Sequence, residues 1–314
     1  MTAVVGLAQV RQRTRRVEWP SVALCCGIYG GCLLLTWFYQ LLPLPIFILS
    51  GAVLLAWHSS MQHEFIHGHP TPWRRFNRAL AQPPLLLWLP FESYRRSHLV
   101  HHLDEQLTDP LDDPESFYWT AEHWAAIGPV GRFIVRAHTT LAGRLVLGPA
   151  WNIGRYWWSE SRAIRAGDRQ RRTIWAWHGL EVAALLVWTI GICRVGILAY
   201  AAMAYAGTSI LLLRSFAEHR ASHSVFERTA IVENSWLFGP LFLFNNLHAA
   251  HHERPLLPWY QLPGWYRQNR QRLLSENGGL VYDGYGDVAR RFLFRPHDVS
   301  VHPLSAEPAP GRRC

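Results

Sequence analysis

The stretch between Glu18 and Glu64 constrains this chain most, because it contains no Asp, Glu, Lys or Arg. A second apolar stretch, residues 174–213, is broken only by Glu181 and Arg194. A helix needs roughly 20 apolar residues to cross the hydrocarbon core of a bilayer. Each stretch is therefore long enough for two spans. We predict an all-α integral membrane protein with spans near residues 20–40, 46–58, 174–192 and 195–213.

A large polar part accompanies these stretches, since only 49% of the 314 residues are hydrophobic and the mean hydropathy is close to zero. We predict that residues 60–173 and 214–314 supply a helical cap outside the bilayer. The expected organisation is an N-terminal arm, a membrane domain and a proline-rich, disordered C-terminal tail, with the boundaries 1–19, 20–296 and 297–314.

The formal charge of +9 requires that nucleic-acid binding be considered. The basic residues, however, cluster beside the apolar stretches, at residues 11–16, at residues 162–172 and near the C-terminus. This distribution follows the positive-inside rule of membrane proteins. We therefore predict no nucleic-acid partner, and we predict that both termini and the cap are cytoplasmic. The connections at residues 41–45 and 193–194 would then lie on the other side.

Nine of the 17 histidines follow a pattern of short spacings. His63 and His67 form H-x-x-x-H, H-x-x-H-H occurs at residues 98–102 and 248–252, and His219 follows the fourth apolar segment. Residues three and four apart share a helix face, so each box can offer several nitrogens to a metal. Imidazole suits iron, zinc, copper and nickel. Nine nitrogens exceed the coordination of one ion and suit two.

The remaining histidines do not share this pattern. We predict that six of them are packing or surface residues, whereas the residues alone do not assign His69 and His223. The six are His58, His123, His138, His178, His297 and His302. The five cysteines contain no C-x-x-C pair, so neither a thiolate zinc site nor a disulfide framework is indicated.

The segments HEFIH (63–67), HLVHH (98–102) and HAAHH (248–252) resemble the three histidine boxes of membrane fatty acid desaturases. The order of span pair, two boxes, span pair and final box is similar as well. The EHR at residues 218–220 looks like the extra histidine region of related alkane hydroxylases and desaturases. The resemblance covers roughly residues 20–260.

This resemblance implies a non-haem centre of two iron ions that uses O₂ to attack an unactivated C–H bond of a lipid. By position, the iron ligands would be His63, His67, His98, His101, His102, His219, His248, His251 and His252. Candidates for supporting these ligands are Glu64, Asp104, Glu218, His223, Asn245 and Asn246. No fused cytochrome b5 motif is evident in the sequence, so a separate electron donor such as ferredoxin is expected.

Several functions remain open at this stage. We favour desaturation of a fatty acyl chain, with hydroxylation or ketolation of an alkyl chain or carotenoid as the alternative. HEFIH also fits the H-E-x-x-H signature of zinc proteases, with Glu64 as general base, but this leaves both H-x-x-H-H boxes without a role. A metal transporter would carry its ligands inside the spans, whereas these histidines lie outside them.

Overall fold

The computed structural model describes residues 16–306, apart from the side chains of residues 104 and 306. This part of the chain is mostly helical and contains almost no sheet, which confirms the predicted all-α class. Its α-helices, in chain order, are α1 Trp19–Trp37, α2 Leu44–Ile66, α3 Arg74–Ala81, α4 Phe91–His101, α5 Ala121–Ala126, α6 Pro129–His138, α7 Leu141–Val146, α8 Gly148–Arg165, α9 Arg169–Leu186, α10 Ile197–Glu218, α11 Phe238–Leu241, α12 His248–Glu253, α13 Leu262–Glu276, α14 Gly284–Phe292 and α15 Pro303–Ala306.

Shorter elements complete the described chain. The 3₁₀ turns are Tyr39–Leu41, Asp104–Gln106 and Val225–Arg228, and a π-helical segment, Val187–Ile192, continues α9. Two strands of two residues each, β1 Ile231–Val232 and β2 Val281–Tyr282, pair in parallel.

Within residues 16–306, four helices are long and apolar enough to cross a membrane: α1, α2, α9 with its π-helical continuation, and α10. Their number is as predicted, but two boundaries differ. Helix α2 continues past His58 to Ile66, and α9 begins at Arg169 rather than near residue 174. The start of α9 is fixed by Asp168, whose side chain accepts hydrogen bonds from two backbone N–H groups of the first turn.

Helices α2 and α10 pack closely against each other. A Cβ atom added at Gly207 would lie 3.0 Å from Cβ of Leu55 and 3.3 Å from the backbone oxygen of Ala52. Small residues allow this kind of close approach between membrane helices.

At one end of the bundle, the Nε2 atom of Gln40 donates to the backbone oxygen of Arg194 at 3.1 Å. The connections α1–α2 and α9–α10 therefore lie together, and the cap occupies the other end.

The C-terminal segment is folded onto the cap as far as the structure describes it. The backbone N–H of Trp119 donates to the oxygen of Ser300 at 2.9 Å, and His302 is fully buried. Tyr118 donates its hydroxyl to Oδ2 of Asp298 at 2.5 Å. The prediction of a disordered tail is therefore wrong for residues 297–306, because these contacts hold them against the cap. Residues 1–15 of the predicted arm and residues 307–314 of the predicted tail lie outside the described residues.

Candidate metal centre

The nine histidines of the pattern come together at the cap end of the spans. Helix α2 carries His63 in its last turn, and His67 is its C-cap residue. Helix α10 ends at Glu218, so His219 leaves the fourth span in extended conformation and bridges to Thr229. Helices α4 and α12 carry the two H-x-x-H-H boxes. The ends of two spans and two cap helices thus position the site.

Two groups of histidines result, and each could hold a metal ion. The five-histidine group consists of His63, His67, His98, His102 and His251. The four-histidine group consists of His101, His219, His248 and His252. Within each group the offered nitrogen atoms all lie within 4.8 Å of one another. The groups are adjacent, because the rings of His102 and His252 stack with their centroids 4.3 Å apart.

Helical spacing explains how each H-x-x-H-H box serves both groups. Residues four apart point the same way, so His98 and His102 join one group, and His248 and His252 join the other. The middle histidine of each box lies in the opposite group: His101 among four, and His251 among five. Each box therefore supplies two histidines to one group and one histidine to the other.

The nitrogen contacts fit metal ligation better than mutual hydrogen bonding. In the five-histidine group, Nε2 of His98 lies 3.1 Å from Nε2 of His67 and 3.0 Å from Nε2 of His102. In the four-histidine group, Nε2 of His219 lies 3.0 Å from that of His101 and 2.9 Å from that of His248. A neutral imidazole has one N–H donor and one acceptor nitrogen, so converging lone pairs repel unless a cation binds between them.

The Nδ1 atoms of four of these histidines face acceptors, which fixes the tautomer. His98 Nδ1 lies 3.2 Å from Glu115 Oε1, and His101 Nδ1 lies 3.0 Å from Asp113 Oδ1. His219 Nδ1 lies 3.2 Å from the backbone oxygen of Arg228, and His248 Nδ1 lies 3.2 Å from Asn245 Oδ1. Because these oxygens accept, Nδ1 carries the proton and Nε2 presents its lone pair. The buried Nε2 atom of His63 has no hydrogen-bond partner among the described residues.

Burial keeps most of the cap histidines neutral. It lowers the pKa of His98, His102, His248 and His251 well below the ordinary value, and the neighbouring histidines lower it further. For His101, burial alone would lower the pKa, but the carboxylates of Glu115 and Asp113 outweigh it and raise the value to about 9. The neutral imidazole is the form that binds a metal ion, so His101 would release a proton on binding one.

Two of the predicted supporting residues, Glu218 and Asn245, contact the four-histidine group. Oε1 of Glu218 accepts from Asn245 Nδ2 at 2.8 Å and lies 3.5 Å from Nδ1 of His248. For Glu64 and Asn246 the role stays a prediction, and the hydrogen bonds that they make lie away from both groups. Glu64 Oε2 accepts from the backbone N–H of Trp259 at 3.2 Å.

Asn246 Nδ2 donates to the backbone oxygen of Val232 at 2.7 Å and so supports the region of β1. His223 is exposed and lies outside both groups. The side chain of Asp104 lies outside the described residues.

Sequence reasoning did not single out Asp113, Glu115 or the backbone oxygen of Arg228. Both carboxylates belong to the acidic loop that follows the second box, and this loop was the only available signal. The loop holds other carboxylates, and nothing in their spacing distinguishes Asp113, which is 5% exposed, from the exposed Asp112.

The six histidines predicted to be packing or surface residues lie outside both groups. Four of them contact other partners: His58 contacts Tyr29, His178 the backbone oxygen of Leu87, His297 Tyr282, and His302 Thr108. The undecided His69 is also outside, where its Nδ1 lies 2.7 Å from Oε1 of Glu18.

Comparison with known proteins agrees with this geometry. The model of one family, described as fatty acid desaturase, matches residues 37–285, which contain all three histidine boxes and His219. No curated protein sequence matches the chain. Because the family match spans most of the 314 residues and the nine histidines within it converge, the chain belongs to the fatty acid desaturase family.

Proposed function

We propose that the protein is an O₂-dependent di-iron oxidoreductase that introduces a double bond into a fatty acyl chain. Membership of the family supports oxidation of a lipid. The observation that carries the proposal of two ions is the division of the nine histidines into two adjacent groups. The five-histidine group would hold one iron ion, and the four-histidine group the other.

Iron ions with open coordination positions supply O₂ activation and attack on an unactivated C–H bond when bound. The protein's own residues orient and protect this centre. Asp113, Glu115 and the backbone oxygen of Arg228 accept the Nδ1–H groups and so aim the Nε2 atoms inward. Burial of the rings excludes water, which would otherwise compete for the ions and quench a reactive oxidant.

The position of the site suits a lipid substrate. His63 and His219 lie at the ends of two candidate spans, so the centre is at the border between an apolar bundle and the cap. An acyl chain in the bilayer can approach such a border without leaving apolar surroundings. We also propose that the cap is cytoplasmic and that a separate donor such as ferredoxin supplies electrons there.

The zinc protease alternative would assign the role of general base to Glu64, whose Oε2 accepts a hydrogen bond from the backbone N–H of Trp259. A single zinc ion would leave the four-histidine group without a role. Hydroxylation or ketolation uses the same ligands, and no contact of the described residues favours it over desaturation.

Expression in a host of known lipid composition tests the proposal. Fatty acids that are lighter by two hydrogen atoms, together with two iron ions per chain, are the expected result. His251→Ala should abolish the product and lower the iron content. His58→Ala is the matched control, because His58 is equally buried but lies outside both groups.

The mass of the fatty acid products and the metal content of the protein distinguish desaturation from hydroxylation and a di-iron site from a zinc site. Products heavier by one oxygen atom would replace desaturation by hydroxylation on the same centre. One zinc ion per chain, or an unchanged iron content in the His251→Ala variant, would overturn the proposed di-iron site itself.

A further inference from the structure

A cavity of about 30 Å³ lies in the cap beside His219 of the four-histidine group. Its wall combines aromatic side chains, among them Phe117, Trp151 and Phe216, with a small set of polar ones. This volume can hold about two water-sized groups. The polar side chains of the wall have an unequal balance of donors and acceptors, and this imbalance indicates what the cavity can bind.

The main donor is Arg144, which is only 4% exposed. Its Nε donates to the backbone oxygen of His138 at 3.1 Å, and its guanidinium carbon lies 4.1 Å from the ring centroid of Phe117. Its Nη1 is buried and has no hydrogen-bond partner among the described residues. No carboxylate of the described residues forms an ion pair with it. A buried cation without a counter-ion is costly, so an anion from outside would stabilise it.

A second arginine lines the same wall, and the one acid among the lining residues is already hydrogen-bonded. The second arginine, Arg155, extends over the ring of Trp119, with its guanidinium carbon 5.2 Å from the ring centroid. Oδ2 of Asp298 accepts from the Tyr118 hydroxyl and from the backbone N–H of residue 221, at 2.5 and 2.9 Å. Oδ1 accepts from the backbone N–H of residue 299 at 2.7 Å. The two arginines therefore line a cavity whose only lining carboxylate already accepts three hydrogen bonds.

We propose that this cavity binds a carboxylate group, held by Arg144 with Arg155 beside it. The planar fork of a guanidinium matches the two oxygens of a carboxylate. The volume admits a carboxylate but not a bulky headgroup. The cavity has room for the carboxylate alone, so an apolar chain attached to it would lie outside the cavity, and a small soluble carboxylate has the same recognisable chemistry. The site stands independently of the proposed oxidation, because binding requires neither iron nor turnover.

Binding to the purified protein in detergent tests this site, with acetate, decanoate and decanol as probes in calorimetric titrations. Saturable binding of a carboxylate is expected, and Arg144→Met should weaken it at least tenfold. Arg155→Met should weaken it as well, and this exposed position keeps the test valid if the Arg144 variant fails to fold. Arg136→Met is the matched control, since Arg136 lies on the same helix as His138 and outside the cavity wall.

Each result has a defined meaning. Tighter binding of decanoate than of acetate assigns the site to an acyl carboxylate, and equal binding assigns it to small soluble carboxylates. Three results would overturn the proposal: no saturable carboxylate binding, unchanged binding in both arginine variants, or decanol binding as tightly as decanoate, which would show that the charge is not used.

Discussion

The Nε2 atom of His302 lies 3.0 Å from the Oγ1 atom of Thr108, although 194 positions separate the two residues. The backbone N–H of Thr108 donates to Oδ2 of Asp113 at 2.8 Å, and Oδ1 of Asp113 accepts from Nδ1 of His101 at 3.0 Å. All four residues are buried. A chain of contacts therefore runs from the C-terminal segment to a histidine of the candidate metal centre.

The first prediction concerns His302, which the sequence alone predicted to be a packing or surface residue. Its ring is fully buried and packs edge-on against Tyr118, with the centroids 5.5 Å apart. His302→Ala would leave a cavity and an unpaired Thr108 hydroxyl. We expect the free energy of unfolding to fall by about 1–3 kcal/mol, measured as a lower apparent melting temperature in detergent.

The exposed His123 supplies the control, since His123→Ala removes the same ring from the surface. Equal melting temperatures for the two variants would show that the contact between His302 and Thr108 contributes nothing to stability.

The second prediction concerns the carboxylate of Asp113. This side chain accepts from His101 Nδ1 and from the backbone N–H groups of Thr108 and Glu115. Removing such a partner from a metal-binding histidine lowers metal affinity about 10–100-fold. We expect Asp113→Ala to lose iron to a chelator faster than the wild type, measured by metal analysis after dialysis.

Asp112→Ala is the neighbouring control, because Asp112 is exposed and makes its hydrogen bond through the backbone. If both variants keep iron equally well, Asp113 does not orient His101 as the contacts indicate.

The elements that the sequence predicted correctly depend on local patterns. A charge-free stretch identifies spans, because the bilayer imposes its requirement on each helix separately. The spacing of H-x-x-H-H identifies histidines that share a helix face without reference to the rest of the fold. The four candidate spans and the convergence of the nine patterned histidines were predictable for this reason.

The features that were missed depend on contacts between distant residues. Asp113 reaches His101 through a loop in which Thr108 adopts a φ of 67°. No pattern in the acidic loop encodes that conformation. The same applies to His302, whose burial depends on where the C-terminal segment returns to the cap.

The third prediction concerns the packing of α2 against α10 at Gly207. A side chain there would meet the Cβ of Leu55 and the backbone of Ala52, and backbone cannot move aside cheaply. We expect Gly207→Leu to lower the free energy of unfolding by about 1–3 kcal/mol, measured as loss of monodisperse protein on heating. Gly27→Leu should be close to neutral, because no atom lies within 4 Å of a Cβ at that position. A neutral result at Gly207 would contradict the close approach of the two helices.

The fourth prediction concerns orientation in the membrane. The connection that contains Leu41 and the one that contains Arg194 lie at one end of the bundle, and the cap lies at the other. The cap end carries most of the arginines next to the spans, so the positive-inside rule assigns it to the cytoplasm. A membrane-impermeant thiol reagent should therefore label Leu41→Cys in intact cells, in a background without the native cysteines. It should label Glu122→Cys, on the surface of the cap, only after permeabilisation.

Both engineered positions are exposed, so a difference in labelling reports sidedness rather than burial. The reverse pattern would place the histidines outside the cytoplasm, away from soluble reductants. Because the proposed reaction consumes electrons from a separate donor, that result would contradict the proposed ferredoxin as well as the orientation. The same pair of variants thus tests whether the charge distribution of the sequence and the electron supply of the proposed reaction agree on one side of the membrane.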